Sequence, residues 1–186
     1  MYFADDFITV DPTEYATGEI INVKALTTTP SGILGLDDTE AQQVEIQARA
    51  IRPYPPANVK INGEYWPEEV QGYLELNWAH RNRLQQSGGA GIGYFDAGVT
   101  IENGVTYKLA VYVIDASNIQ TEFFNQNVGD VNSYTVDLST APATAVKFRI
   151  VLNAVRDIYE SYQTFDYTLN LSFTAPYNIT YSVVTV

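Results

Sequence analysis

The sequence predicts an all-β protein, two β-sheets packed as a sandwich, and three observations predict it. Residues 72–83, GYLELNWAHRNR, alternate with period two: Leu74, Leu76, Trp78 and His80 fall on one side of an extended strand. Tyr73, Glu75, Asn77 and Ala79 fall on the other. Residues 165–173, FDYTLNLSF, repeat the pattern with Phe165, Tyr167, Leu169, Leu171 and Phe173. The composition agrees: 14 tyrosines and a single methionine, with Val, Ile and Thr throughout, suit a pleated, half-buried surface. Trp78, at the centre of its apolar face, is large enough to anchor a sandwich core together with Leu74 and Leu76.

Taken in order, residues 1–18 are acidic and mixed, with one edge strand expected around Phe7–Val10. Residues 19–26, EIINVKAL, form a better strand. Residues 27–40 hold Pro30, Gly32 and Gly35 among hydroxyl side chains, which makes them a loop. Its apolar tip, Ile33, Leu34 and Leu36, either plugs the end of the sandwich or touches a partner. Residues 41–51 read as a strand, because Val44, Ile46, Ala48 and Ala50 alternate and Pro53 demands an extended approach. Pro53, Pro55 and Pro56 then form a stiff hinge, the expected domain boundary. Val59 and Ile61 open a new strand that Asn62-Gly63 turns.

Residues 64–71 are a turn carrying Tyr65 and Trp66. Residues 85–93, which are rich in glycine, form a loop, and 94–100 form a short extended piece beginning at Tyr94. Residues 105–114, VTYKLAVYVI, are the strongest strand, with Tyr107, Leu109, Val111 and Val113 on one face. A strand over 119–124 precedes a polar loop at 125–132. Residues 133–138 point Tyr134, Val136 and Leu138 inward. Residues 147–155 place Phe148, Ile150 and Leu152 in the core and Lys147, Arg149 and Asn153 outside. After the closing strand, Pro176 sets off an apolar tail, NITYSVVTV, that must pair with its own chain or a partner. About seven strands after the hinge, at this spacing, fit a Greek-key sandwich.

Bulk properties narrow the function. A chain of 186 residues buries roughly two-thirds of its unfolded surface, enough for a core without crosslinks. The net charge of -12 argues against a general nucleic-acid surface, which is basic. No apolar run is long enough to span a membrane. The acidic N-terminus lacks the positive start of a secretory signal. With no cysteine and one histidine, disulfides, thiolate metal sites and a two-histidine metal site are excluded within one chain. Residues 1–48 carry nine acids against Lys24 alone, whereas residues 49–83 carry five bases and four acids.

Motifs that carry chemistry are absent. His80 has no nucleophile or acid at triad spacing and reads as structural. Asp5, Asp6, Asp37, Asp38 and Glu40 are oxygen donors for calcium but lack EF-hand spacing. Gly88, Gly89, Gly91 and Gly93 lack the lysine and hydroxyl of a phosphate loop. No catalytic residue, metal ligand or cofactor is therefore expected, and the chain reads as a non-enzyme. Tyr65, Trp66 and Tyr94 are the residues that could stack on a sugar or a partner, against ordinary packing or subunit contact. Arg81 and Arg83 are expected outside, pairing with Glu68 or Glu69 in a surface cluster.

One resemblance adds to this. RPYPPANVKING at 52–63, followed after a short insert by LELNWAHRNR at 74–83, resembles a fibronectin type III-like module of tailed-bacteriophage tail hub and tip proteins, which serve host attachment. GVTYKLAVYVIDA and NAVRDIYESYQTFDYTLNL resemble the middle and closing strands of that module, and INVKALTTTPSGILGLDD the segment joining it to the tail body. The resemblance implies an immunoglobulin-like sandwich over residues 53–173, an N-terminal β extension over 1–52 and a C-terminal β tail over 174–186. It implies a structural component of the virion tail tip or baseplate, made in the host cytoplasm. Its partners would be other phage tail proteins, in a homo-oligomeric ring or trimer, with a host surface receptor as a further partner. A host-surface glycan or protein binding module, or a head or neck decoration protein, are the alternatives. The resemblance carries over no activity.

Overall fold

The computed structural model describes residues 15–86 and 91–172. The chain divides into two compact units, Met1–Ala50 and Ile51–Val186.

The first unit is built from short strands: β1 (Ile20–Val23), β2 (Thr28–Thr29), β3 (Gly32–Ile33) and β4 (Gln42–Glu45). β1 and β4 pair antiparallel with Ile21 opposite Val44, and β2 and β3 form a small hairpin. One 3-10 turn, Leu36–Asp38, accepts a hydrogen bond at the Leu36 carbonyl from Lys24 Nζ (2.6 Å). No residue from 15 to 50 is buried, so this unit has no core among the described residues. The strand expected over 41–51 stops at Glu45. Ala48 is left-handed (φ 53°) and the chain turns at 49–52, because small alanines offer no apolar face to hold an extended run. The edge strand expected at Phe7–Val10 lies outside the described residues.

The second unit holds β5 (Ala57–Ile61), β6 (Glu69–Val70), β7 (Tyr73–Ala79), β8 (Thr106–Asp115), β9 (Gln120–Gly129), β10 (Ser133–Asp137), β11 (Ala145–Arg156), β12 (Tyr159–Glu160) and β13 (Phe165–Leu171). They form a three-stranded sheet, β10-β7-β5, and a larger one, β6-β13-β11-β8-β9, with β12 on β11. Every pairing is antiparallel except that of β6 with β13. Leu74, Leu76 and Trp78 of β7 meet Tyr107, Leu109 and Val111 of β8 and Phe148, Ile150 and Leu152 of β11 in one core, all at most 4% exposed. Alternation alone produces this: on β11 the in-facing residues are buried and the out-facing ones half-buried. Asn62 and Gly63 turn the chain after β5 with both φ positive (50° and 83°), the two-residue hairpin geometry.

Three expectations change. β9 runs on to Gly129, where a polar loop was expected from 125, since pairing with β8 satisfies its backbone although its side chains are polar. Residues 94–100 form no strand, and Tyr94 and Phe95 sit in a turn. Glu69, expected in a turn, belongs to β6, which joins β13 beside Asn170. The apolar tail 174–186 and Phe173 lie outside the described residues.

Candidate functional site

β5 sets the site. Its buried residues are Ala57, Val59 and Ile61, so Asn58 and Lys60 face outward. Asn58 (φ 50°) sits at an irregularity in the β5–β7 register, and Lys60 pairs across to Asn77 of β7. The tight turn that follows swings Tyr65 and Trp66 back over this face. The Tyr65 hydroxyl donates to Asn58 Oδ1, and Lys60 Nζ lies 4.9 Å from the Tyr65 ring centre.

Four aromatic rings gather here. Trp66 lies 5.5 Å from Tyr65 and is nearly parallel to Tyr94 at 6.5 Å and 16°. Phe95 stands edge-on to Tyr65, Trp66 and Tyr94 at 5.3, 6.3 and 5.2 Å. Edge-to-face contacts of this kind satisfy the ring quadrupoles. Yet the cluster is open to solvent: Trp66 is 50% exposed and Phe95 59%. Trp66 also has φ 51°, a left-handed conformation that costs a bulky residue strain.

Arg81 holds the far half of the cluster. Its Nη1 donates to the carbonyl of His80 (2.8 Å), and Nη2 to those of Gly93 (2.7 Å), Tyr94 (3.1 Å) and Asp96 (3.0 Å). It is 6% exposed and in no ion pair among the described residues. Burial lowers its pKa from the usual arginine value, partly offset by Asp96. The turn closes on itself as Gly93 N–H donates to Asp96 Oδ2 (2.7 Å), and the Val59 N–H donates to the Tyr94 hydroxyl (3.3 Å). The expected surface pairing of Arg81 and Arg83 with Glu68 or Glu69 is thus overturned. Arg83 pairs instead with buried Glu102 (2.5 Å), which also takes Arg156 (2.5 Å). Hydrogen bonding from Arg83 holds the Glu102 carboxyl below the ordinary glutamate range.

Meeting the rings through Asn58 and Lys60 is a groove of about 410 Å³ lined by these two residues, Asn77, Trp78, His80 and Asn132, with residues 97–99. His80 stacks on Tyr107 (5.7 Å, 23°), and its Nδ1 is 3.0 Å from the Tyr107 hydroxyl. Burial lowers the His80 pKa, and burial also pushes the Tyr107 phenol up to about 12. A second groove of about 300 Å³ is lined by Tyr54, Pro55, Pro56, Arg81, Tyr94 and Phe165. Among the described residues no three His, Cys, Asp or Glu side chains are grouped to hold a metal ion.

The structure therefore brings Tyr65, Trp66 and Tyr94 together, and it adds Phe95, Lys60, Asn58 and Arg81, which the sequence reading did not place at the site. A signal for Phe95 was available in the Gly93-Tyr94-Phe95-Asp96 turn, since an aspartate closing a turn projects the two residues between. Nothing in the sequence spacing shows Arg81 reaching the 93–96 carbonyls. Ile33, Leu34 and Leu36 belong to the first unit and are exposed, at 60%, 42% and 62%.

A three-stranded sheet facing a larger one, antiparallel but for β6, and closed by Greek-key crossovers, makes this an all-β sandwich of the fibronectin type III-like, immunoglobulin-like class. No family model matches the chain, and no curated protein matches it. Among solved structures it is similar to the fibronectin type-III domain of human fibronectin type III domain containing protein 3, at 15% identity and a TM-score of 0.32, over 65% of this chain and 89% of that one. It is also similar to the chicken CNTN1 FN1–FN3 domains, at 12% identity and a TM-score of 0.33, over 83% of this chain and 44% of that one.

Proposed function

We propose that the chain is a non-enzymatic binding module whose sandwich displays the Tyr65–Trp66–Tyr94–Phe95 cluster to a partner on a host surface. The observation that carries this is the cluster itself: four rings packed on one another, one of them strained, and left open to water. Ordinary packing would bury such area, because each ring removed from water stabilises by about 1.5–3 kcal/mol. Titration of the protein against host envelope fractions tests the reading. Binding lost in Trp66→Ala is expected, and binding that is indifferent to this substitution overturns it.

The finer reading is a structural component of a bacteriophage tail tip or baseplate, assembled with other tail proteins in a homo-oligomeric ring or trimer. The sequence resemblance supports it. So does the first unit, whose Ile20, Val23, Leu26, Ile33, Leu34, Leu36 and Val44 are all exposed with no buried residue among those described. A surface this apolar fits contact with a neighbouring subunit. Mass analysis of purified virions tests it: the chain is expected in the particle, and its absence there overturns the tail assignment.

A further inference from the structure

We propose that the ring cluster and the adjoining groove form one binding site for a pyranose saccharide of low charge. The inference rests on the binding-module reading above and names its ligand. A sugar ring has an apolar C–H face and an edge of hydroxyls, so it needs a flat aromatic surface beside groups that both donate and accept hydrogen bonds. This face supplies both, and the two are joined. Asn58 lines the groove and accepts from Tyr65; Lys60 lines it and lies over the Tyr65 ring. Asn58, Asn77 and Asn132 place three carboxamides in the wall; the Asn58 oxygen already accepts from Tyr65 and the Asn77 amide already donates to Glu75, so Asn58 offers its donor end, Asn77 its acceptor end and Asn132 both. The volume of about 410 Å³ lies within the range of small-ligand sites.

Charge selects among sugars. Lys60 is the one ammonium group in the wall, and its cross-strand partner Asn77 donates to the Glu75 carboxylate (3.1 Å). His80 is held toward its neutral form by burial. A single cation on a protein of net charge -12 does not attract a polyanion, which excludes sulfated and polyuronic chains as the preferred ligand. The site is also formed in advance. Arg81 fixes the Tyr94–Phe95 turn, and Val59 fixes the Tyr94 hydroxyl, so little ordering remains for a ligand to impose.

The chain's two tryptophans provide the readout, because Trp78 is buried at 4% exposure and Trp66 is open. Neutral oligosaccharides of glucose, galactose and N-acetylglucosamine, with sulfated and uronic acid-containing chains as the charged arm, are titrated against the full chain while indole emission is followed. At least one neutral sugar is expected to shift the Trp66 emission. Read by titration calorimetry, which needs no indole, Trp66→Ala should weaken that binding about tenfold or more, and Asn77→Ala several-fold, with unchanged melting curves. Binding confined to the charged arm overturns the proposal. So does saccharide binding that ignores both substitutions. If no sugar binds, yet Trp66→Ala still abolishes capture of a host envelope protein, the saccharide assignment falls and the binding-module reading stands. If neither is affected, both fall.

Discussion

Arg81 and Glu102 are two buried charges with opposite solutions. Arg81 is surrounded by carbonyl oxygens, and Glu102 by two guanidinium groups. Replacing Arg81 by Met strips the Gly93, Tyr94 and Asp96 carbonyls of their donor. Destabilisation of about 2–4 kcal/mol is expected, and amide hydrogen exchange should rise selectively across 93–96. Replacing Glu102 by Ala leaves Arg83 and Arg156 facing each other without their anion, at an expected cost of about 3 kcal/mol in urea unfolding. The acid response follows from the same residue. Glu102 titrates lower in the folded chain than in the unfolded one, so its contribution is complete above the unfolded value near 4.5 and is lost as pH falls through the folded value. His80 acts earlier. Its folded pKa is lowered, so the unfolded chain takes up the proton first, below about 6.5. Unfolding midpoints should therefore decline in two stages on acidification, and Glu102→Gln should shrink the lower one, to which Asp166, held low by Arg149, also contributes. Sequence reading placed both arginines outside, because an arginine past a strand end is usually solvated and its long reach to a distant loop leaves no periodic trace.

At the scale of elements, alternation carries most of the information, and pairing carries the rest. β7, β8 and β11 were legible because each has large apolar residues at every second position and a buried face to receive them. β13 alternates just as cleanly, yet of its in-facing residues only Leu169 is fully buried, while Phe165, Tyr167 and Leu171 are half-covered. Phe148→Ala on β11 should consequently cost about 3–5 kcal/mol, and Phe165→Ala on β13 distinctly less, by equilibrium unfolding. β9 was legible only in its first half. Its second half is polar and is extended because β8 supplies its partners, which a one-strand pattern cannot express. β6 was missed for a similar reason, since two residues beside a neighbouring strand leave no period to detect. β9 also illustrates how an edge is kept from spreading. Its pairing with β8 slips at Tyr107/Lys108 and again at Val111/Tyr112, and each slip bends the strand away from a flat template.

On the scale of the whole molecule, the two units differ in kind. Ile51–Val186 contains the continuous core, whereas residues 15–50 bury nothing. A fragment of residues 51–186 should keep the cooperative melting transition of the full chain, and a fragment of residues 1–50 should show none alone by circular dichroism. The prolines at 53–56, read in the sequence as a hinge, lie inside the second unit, where Pro53 and Pro56 are buried. The aromatic face was legible only in part. Tyr65, Trp66 and Tyr94 stood out as aromatic residues in polar loops, but their meeting depends on a turn at 93–96 and a register slip at Asn58, neither of which is periodic.

The fastening of that face has a consequence for ionic strength. Exposed pairs such as Lys108–Glu160, 3.3 Å apart and nearly half in water, fade as mobile ions accumulate around them. Arg81 instead grips oxygen dipoles in a place that mobile ions do not enter. Concentrated salt should thus leave the aromatic turn in position, and a surface built this way keeps its shape from dilute fluid to brine.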